Sequence, residues 1–207
     1  MGKKGGEAVG KYLTPFCYMS ILVALAVALF SQEIITIMTP PQYHGAIDIA
    51  IVLSMLYGSY FFGKQPHLIF AKKTWITSAF TLVGIVLNIL INIPFIIKWG
   101  AIGAAWATFI AAVILFPISF AVNQHYYEIK WEYKKIGSIF FIFFTSSMLI
   151  ILMRYFFVGY KYQLAFKCVS AFSYIYLGIK LKVVTKENYR LIKNVIFPIK
   201  AVKPDCV

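Results

Sequence analysis

The stretch NIPFIIKWGAIGAAWATFIAA, residues 92–112, interrupts a chain that is otherwise rich in Ile, Phe, Leu and Tyr. A short KWG turn is followed by a run made mostly of Gly, Ala and Thr. Two rows of small residues recur here at every fourth position: Gly103, Ala107 and Ala111 in one, and Gly100, Ala104, Thr108 and Ala112 in the other. Small residues spaced by four lie on one side of a helix and let another backbone approach closely. The stretch therefore predicts a tight hairpin followed by a close-packing helix face.

The composition of the whole chain indicates that a bilayer is its solvent. Of 207 residues, 61% are apolar and only 13% are charged, with a mean hydropathy of +0.79. A soluble domain carries about 25% charged residues. The net charge of +13 could indicate a nucleic-acid partner. The lysines, however, fall between apolar runs, which is the usual orientation signal of a membrane protein, so we expect no nucleic acid.

Six apolar runs predict an all-α, polytopic transmembrane bundle. Each is close to the ~20 residues that a helix needs to cross ~30 Å of hydrocarbon. Helices are favoured over strands because the runs are long and do not alternate, and because backbone groups in lipid must be satisfied within the segment. The predicted spans are about 14–38, 46–63, 75–97, 101–122, 136–158 and 164–183.

The lysines and arginines predict the orientation of these spans. With both termini on one side, that side holds sixteen of the 20 basic residues and the other side holds four. Such an excess marks the cytoplasmic face. We therefore expect a multi-pass protein of the inner (plasma) membrane with both termini in the cytoplasm. Residues 1–183 would form the transmembrane unit, and 184–207 a basic cytoplasmic tail that can rest on anionic membrane lipids.

A few polar residues within or beside the spans are candidates for a substrate cavity or for ion coupling. Glu33 and Asp48 lie near the predicted outer interface, and Asn88 and Asn92 are spaced by four in the third span. Ionisable or amide groups in lipid are costly and are expected to face the bundle or a cavity. The alternative for the two amides is a hydrogen bond between helices that fixes packing. Lys64 and His67 crowd a predicted cytoplasmic loop, where they serve either topology or the capture of a pyrophosphate group.

The sequence contains few motifs that are typical of enzymes, and we expect that the protein is not an enzyme. The three cysteines have no ligand-like spacing, and the three histidines lie in different predicted loops. His125 and Glu128 are spaced by three, but no further ligand motif accompanies them. No nucleophile with an adjacent base, phosphate loop or carboxylate pair stands out. We predict no metal and no cofactor.

The longer stretch VLNILINIPFIIKWGAIGAAWATFIAA, residues 86–112, resembles a signature of the polysaccharide and O-antigen (oligosaccharide) flippases. These belong to the multidrug/oligosaccharidyl-lipid/polysaccharide exporter superfamily. The signature of Asn, Leu-Asn, Ile-Pro, a short hairpin and Gly-Ala-Ala-x-Ala-Thr is matched here except that Gly84 stands in place of the first Asn. The matching residues are Leu87, Asn88, Ile93, Pro94, Gly100, Gly103, Ala104, Ala105, Ala107 and Thr108. FSQEIITIMTPPQYHGA (30–46) and LGIKLKVVTKENYRLIK (177–193) are also similar to segments of that family.

The resemblance implies the C-terminal part of a transporter with two lobes of six helices. Such a protein moves an undecaprenyl-pyrophosphate-linked oligosaccharide across the bacterial inner membrane for capsule, O-antigen, lipopolysaccharide or exopolysaccharide biosynthesis. Its cavity lies between the lobes and works by alternating access. The implied partners are the lipid-linked oligosaccharide, a missing N-terminal lobe and a polysaccharide polymerase. The alternatives are an exporter of small cations from the same superfamily, a non-transporting scaffold of the assembly machinery, and a membrane transferase.

Overall fold

The computed structural model describes residues 4–63, 68, 72–126, 128–181 and 183, and these residues form an all-α structure. No strand occurs among them, so the all-α part of the prediction is confirmed. Five helices follow one another along the chain, with a short 3₁₀ turn at Pro41–Tyr43 after the first. They are α1 (Lys4–Met38), α2 (Ala46–Gly63), α3 (Thr74–Tyr126), α4 (Tyr133–Tyr155) and α5 (Tyr160–Lys180).

The 53 residues of α3 form a hairpin of two arms that meet at Gly100. Gly100 has φ 61° and ψ −138°, a conformation that is open essentially only to glycine. The arms, 74–99 and 101–126, run antiparallel, since Leu115 lies beside Gly84 and the Lys73 ammonium lies 4.6 Å from the ring centre of Tyr126. Each arm is about 39 Å long at 1.5 Å per residue, enough to cross a bilayer. The hairpin thus lies where the KWG turn predicts it.

The core of the bundle lies where α1 packs against α4. Each helix presents one buried stripe at the spacing of helical turns, which is how an α-helix places apolar residues on one side. The stripe of α1 includes Cys17, Ile21, Leu25 and Leu29, and that of α4 includes Ile136, Ile139, Phe143 and Ile150. The helix α2 packs against α1 and against α3, and α5 packs against α1 and α4. The exposed face of such a bundle is apolar because it meets lipid and not water.

Three of the described helices are long and apolar enough to cross a membrane. The spanning segments are Leu13–Met38, Thr74–Tyr126 and Tyr133–Tyr155. The apolar part of α2, Ala46–Phe61, is shorter, and α5 contains several polar and charged residues. The apolar helices support a membrane protein. The count of six spans and the cytoplasmic termini stay predictions, and the predicted tail 184–207 lies outside the described residues.

The last two helices begin and end earlier than the predicted spans. The fifth span was expected at 136–158, whereas α4 covers Tyr133–Tyr155, and the sixth was expected at 164–183, whereas α5 covers Tyr160–Lys180. Hydropathy marks the segment that meets lipid, but polar residues such as lysine and glutamine also form helix readily. The first turn of each helix is therefore built from polar and aromatic residues that hydropathy assigns to a loop.

Three connections gather at one end of the bundle, which we call the hairpin end. They are the 39–45 loop, the tip of α3 at Gly100 and the 156–159 loop. Contacts between the helix ends demonstrate their proximity: Asp48 at the start of α2 pairs with Arg154 at the end of α4, and Tyr160 bonds Glu33. This is the end that the charge pattern assigns to the outside.

Candidate functional site

The carboxylate of Glu33 is held by two residues of α5. Lys167 Nζ lies 2.7 Å from Oε1 and 2.9 Å from Oε2, and the Tyr160 hydroxyl donates to Oε1 at 3.0 Å. The lysine side chain is 1% exposed and that of Glu33 is 23% exposed. A cation this deeply buried requires a counter-charge and hydrogen bonds. The pair therefore joins α1 to α5 at a place where neither charge could stand alone.

Asp48 is likewise paired with a cation from a distant part of the chain. Arg154 Nε lies 2.7 Å from Asp48 Oδ1, and the side chains are 21% and 42% exposed, respectively. This pair is more open than the Glu33 pair and links α2 to α4. Both predicted acids thus serve in ion pairs between helices, which is the simplest account of charges at this depth.

Lys167 and Arg154 pair with the two candidate acids, and neither was predicted as a site residue. The positive-inside count treated both as predicted outer-side cations and gave them no partner. The signal that could have found Lys167 is its place within an apolar helix, where an ionisable residue faces the bundle by default. Two of the four cations on the predicted outer side are thus neutralised by the two candidate acids.

The two predicted amides of α3 bond to each other along their own helix. Asn92 Nδ2 donates to Asn88 Oδ1 at 2.6 Å and to the Asn88 carbonyl oxygen at 3.0 Å. The bond joins successive turns of one arm and does not bridge two helices. Asn88 also lines a cavity, and a role of either amide in binding a ligand stays a prediction.

The small residues of the hairpin allow the two arms to meet closely after Gly100. A Cβ atom on Gly103 would overlap the backbone carbonyl of Phe95, which returns along the other arm. The side chains of Ala105 and Ala107 are buried, at 5% and 0% exposure. Pro94 lies inside the helix, one turn or more before the tip, and Ala104 accepts a hydrogen bond from Thr108 at 2.9 Å. The signature therefore shapes the backbone of the hairpin.

A cavity of about 780 Å³ lies between the two arms of α3 and the inner side of α2. Its walls combine apolar side chains with hydroxyls and amides, and none of the side chains that line it is charged. The polar residues of its wall are Tyr60, Thr77, Thr81, Asn88, Thr108, Ser119 and Asn123. A large cavity with a few convergent polar groups is the usual form of a small-molecule site.

Asn123 is the most unusual residue of this cavity. Its side chain is 3% exposed, and Nδ2 lies 3.5 Å from the Ser119 hydroxyl. Within the described part of the chain, Oδ1 has no hydrogen-bond partner. Turning the amide by 180° would leave Nδ2 unpaired instead, so one polar atom of Asn123 remains without a partner in either orientation. A buried amide left in this state is costly and calls for a ligand or water.

Two hydroxyls of the cavity wall are left to act as hydrogen-bond acceptors. The hydroxyl hydrogens of Thr81 and Thr108 are donated to backbone carbonyls one turn earlier, at 3.0 and 2.9 Å. Each hydroxyl oxygen then retains lone pairs that accept from another donor. Together with Asn123 Oδ1, these groups suit a neutral molecule that carries several O–H groups.

Two further predicted residues, Lys64 and His67, lie outside the described residues. His125 lies in the last turn of α3, and its ring is edge-on to that of Tyr126, with 5.6 Å between the ring centres. Among the described residues, no group of three or more His, Cys, Asp or Glu side chains comes close enough together to hold a metal ion.

Comparison with known proteins supports a flippase-like membrane protein and nothing finer. The chain is 24% identical over 141 residues to a protein of Haloferax volcanii described as "Probable low-salt glycan biosynthesis flippase Agl15". The matched region covers 63% of this chain but only 28% of that relative, so the chain spans little more than a quarter of the relative's length. No protein-family model matches the chain, and no solved structure does.

Proposed function

We propose that this chain forms part of a membrane transporter that moves a lipid-linked oligosaccharide from one leaflet to the other. The observation that carries the proposal is its similarity to a protein described as a probable glycan biosynthesis flippase. The carrier expected for the sugar is undecaprenyl pyrophosphate. The expected setting is a bacterial inner membrane, with capsule, O-antigen or exopolysaccharide as the product.

The cavity between the arms of α3 supplies chemistry that suits the sugar part of this cargo. Sugar hydroxyls are donors, and the cavity presents acceptors at Thr81, Thr108 and Asn123. Its walls carry no charged side chain, which suits a neutral glycan better than an ion. The glycan would lose hydrogen bonds to water and form hydrogen bonds to this wall, so its transfer out of water would cost little net free energy.

The first arm of α3 is the natural place for the rest of the transporter. None of the residues in its most apolar window is buried, and it carries Asn88 and Asn92 in a segment that would otherwise face lipid. Polar groups in lipid gain by finding partners in another helix. We expect a second lobe of the transporter to cover this arm and to complete the cavity, as alternating access between two lobes requires.

One structural observation weighs against a small-cation exporter. Such a protein would be expected to expose an acid to its cargo in the membrane, whereas Glu33 and Asp48 are each paired with a cation. We also expect no covalent reaction: the proposed work consists of binding, moving and releasing the cargo.

The experiment measures translocation in inverted membrane vesicles from cells that express the chain from its own locus. A lipid-linked oligosaccharide with a labelled sugar is added, and protection of the label from an impermeant lectin reports its movement. Thr108→Val and Asn123→Leu are expected to slow transport about 2- to 10-fold, the value of one hydrogen bond. Thr145→Val is the matched control, since Thr145 also bonds a carbonyl of its own helix but lies exposed on α4.

Equal transport by all three variants would contradict the role of the cavity. No transport by wild-type vesicles, with the matched cargo present, would contradict the transporter itself. If deletion of the chain abolished polysaccharide assembly while the cargo still moved at its normal rate, the scaffold alternative would be favoured.

A further inference from the structure

A second cavity of about 970 Å³ opens at the hairpin end of the bundle. Residues from α2, from both arms of α3, from α4 and from the loop that follows meet around it. Its wall includes Asp48, Phe95, Trp99, Trp106, Arg154 and Tyr155. The first cavity is uncharged, whereas this one combines an ion pair with a ring of aromatic side chains. The two cavities therefore suit different ligand groups.

Most N–H donors of the Arg154 side chain, which lines this cavity, have no hydrogen-bond partner among the described residues. A guanidinium carries five N–H donors, and in the described residues the only side-chain bond of Arg154 is the one from Nε to Asp48. The side chain is 21% exposed, and it forms part of the cavity wall. Asp48 holds the guanidinium by one edge and leaves the fork of terminal N–H groups available. That fork matches the geometry of a phosphate better than any other side chain does.

A second cation stands at the rim of the cavity. The Lys98 ammonium lies 4.7 Å from the ring centre of Trp99, which lines the wall. Lys98 is exposed, and no ion pair holds it among the described residues. With Asp48 balancing one charge, Lys98 and Arg154 leave a net positive charge at the mouth of the cavity, which favours an anion.

The position of the cavity indicates where that anion comes from. It lies at an end of the membrane helices, and lipid phosphates occupy the corresponding level of a bilayer. Exposed Trp99 and Tyr155 belong at this level too, since their rings are amphipathic. Beneath them the first arm exposes Ile93, Ile96 and Ile97, an apolar surface along which an acyl or prenyl chain can lie.

We propose that the Arg154–Asp48 cavity binds the phosphate of a lipid headgroup, with Arg154 as the bidentate donor and Lys98 as the rim cation. The lipid is either a bulk anionic phospholipid or a polyprenyl phosphate, and both present the same phosphate group. This site is separate from the uncharged cavity between the arms of α3, and it does not depend on the proposed transport.

Native mass spectrometry of the full chain in detergent tests the proposal, with farnesyl monophosphate and dioleoylphosphatidylglycerol as probes and farnesol as the phosphate-free control. Arg154→Gln is expected to weaken both phosphate probes about tenfold, since a hydrogen bond to a charged group is at stake. Lys98 lies on the exposed rim, so Lys98→Gln should leave the bundle intact. It is expected to weaken binding of both phosphate probes about threefold, and this effect should become smaller at high salt. Lys161→Gln, an exposed cation at the same end of the bundle, is the control and is expected to change nothing.

Asp48→Asn separates a ligand site from a purely structural ion pair. Removing the competing carboxylate is expected to leave phosphate binding unchanged or tighter, whereas Arg154→Gln weakens it. Tighter binding of farnesyl monophosphate than of phosphatidylglycerol would identify a polyprenyl phosphate as the natural ligand, and equal binding a bulk phospholipid. The proposal is overturned if farnesol binds as well as its phosphate. It is also overturned if the Gln variants at 98 and 154 bind like wild type, or if Asp48→Asn and Arg154→Gln weaken binding equally.

Discussion

Replacing Glu33 by Gln removes the counter-charge of the most buried cation in the described part of the chain. Lys167 Nζ contacts both carboxylate oxygens, at 2.7 and 2.9 Å, and its side chain is 1% exposed. After the change, the ammonium keeps one amide oxygen and loses its charge partner. Breaking a buried ion pair from one side costs about 3–5 kcal/mol. For a chain of this size, that corresponds to a thermal midpoint lower by roughly 10 °C.

Removing both charges should restore most of the lost stability. A buried ion pair that is replaced by apolar residues of similar size is often neutral or stabilising. We therefore expect Glu33→Gln/Lys167→Met to lie within about 1 kcal/mol of wild type, whereas Glu33→Gln alone lies far below it. Lys161→Met is the control, because Lys161 is exposed on the same helix and makes no ion pair among the described residues.

The assay heats the protein, purified in detergent, in small steps and records the monodisperse fraction by fluorescence-detected size-exclusion chromatography. The double variant separates loss of the pair from loss of a side chain. Two results would refute the reasoning. One is a Glu33→Gln variant as stable as the Lys161→Met control. The other is a double variant that is at least as unstable as Glu33→Gln alone. The double variant no longer contains the Lys167 ammonium, so the unpaired buried charge could not be the cause of the instability.

Three further predictions concern the hairpin and its cavity. Gly100→Ala should lower stability by about 1–3 kcal/mol, because φ is 61° at this position, and the thermal midpoint should fall accordingly. Gly137→Ala is the control, since Gly137 is helical with open space around it and its replacement should have no such cost. Gly103→Leu should prevent the arms from closing, because even its Cβ would overlap the Phe95 carbonyl, and loss of folded protein in the chromatogram is the expected result. Asn123→Leu should raise stability by about 1–3 kcal/mol, because it removes an amide whose Oδ1 is buried without a partner among the described residues, and it should also slow glycan transport. A variant that is less stable than wild type would contradict this account of the site.

The helix hairpin of α3 could be predicted because its causes are local. Gly100 permits a conformation that other residues avoid, and Gly103, three residues later, leaves room for the backbone of Phe95 on the other arm. The neighbouring small residues at 104–108 continue the same pattern. The helix ends of α4 and α5 were predicted less well, because hydropathy reports contact with lipid whereas helix formation depends on backbone hydrogen bonds.

The candidate site was predicted only in part. For Asn88, a hydrogen bond between helices and a cavity contact were both open, and the structure places it at the cavity wall. Asn123, whose buried Oδ1 has no partner among the described residues, follows directly after the predicted span 101–122 and carried no signal. An asparagine near a helix end is usually hydrated. Only the approach of the other arm and of α2 buries it without a partner.

The apolar character of the chain, its helical class and the hairpin at Gly100 follow from the amino-acid sequence, since each depends on composition or on residues within a few positions of one another. Which charges meet depends on the folded bundle. Glu33 and Lys167 are 134 positions apart, and Asp48 and Arg154 are 106 apart. Which cation neutralises which acid depends on which helices become neighbours and on how each is rotated about its axis. Those quantities are set by the packing of whole helix faces, which is a property of all the spans together and of no single stretch.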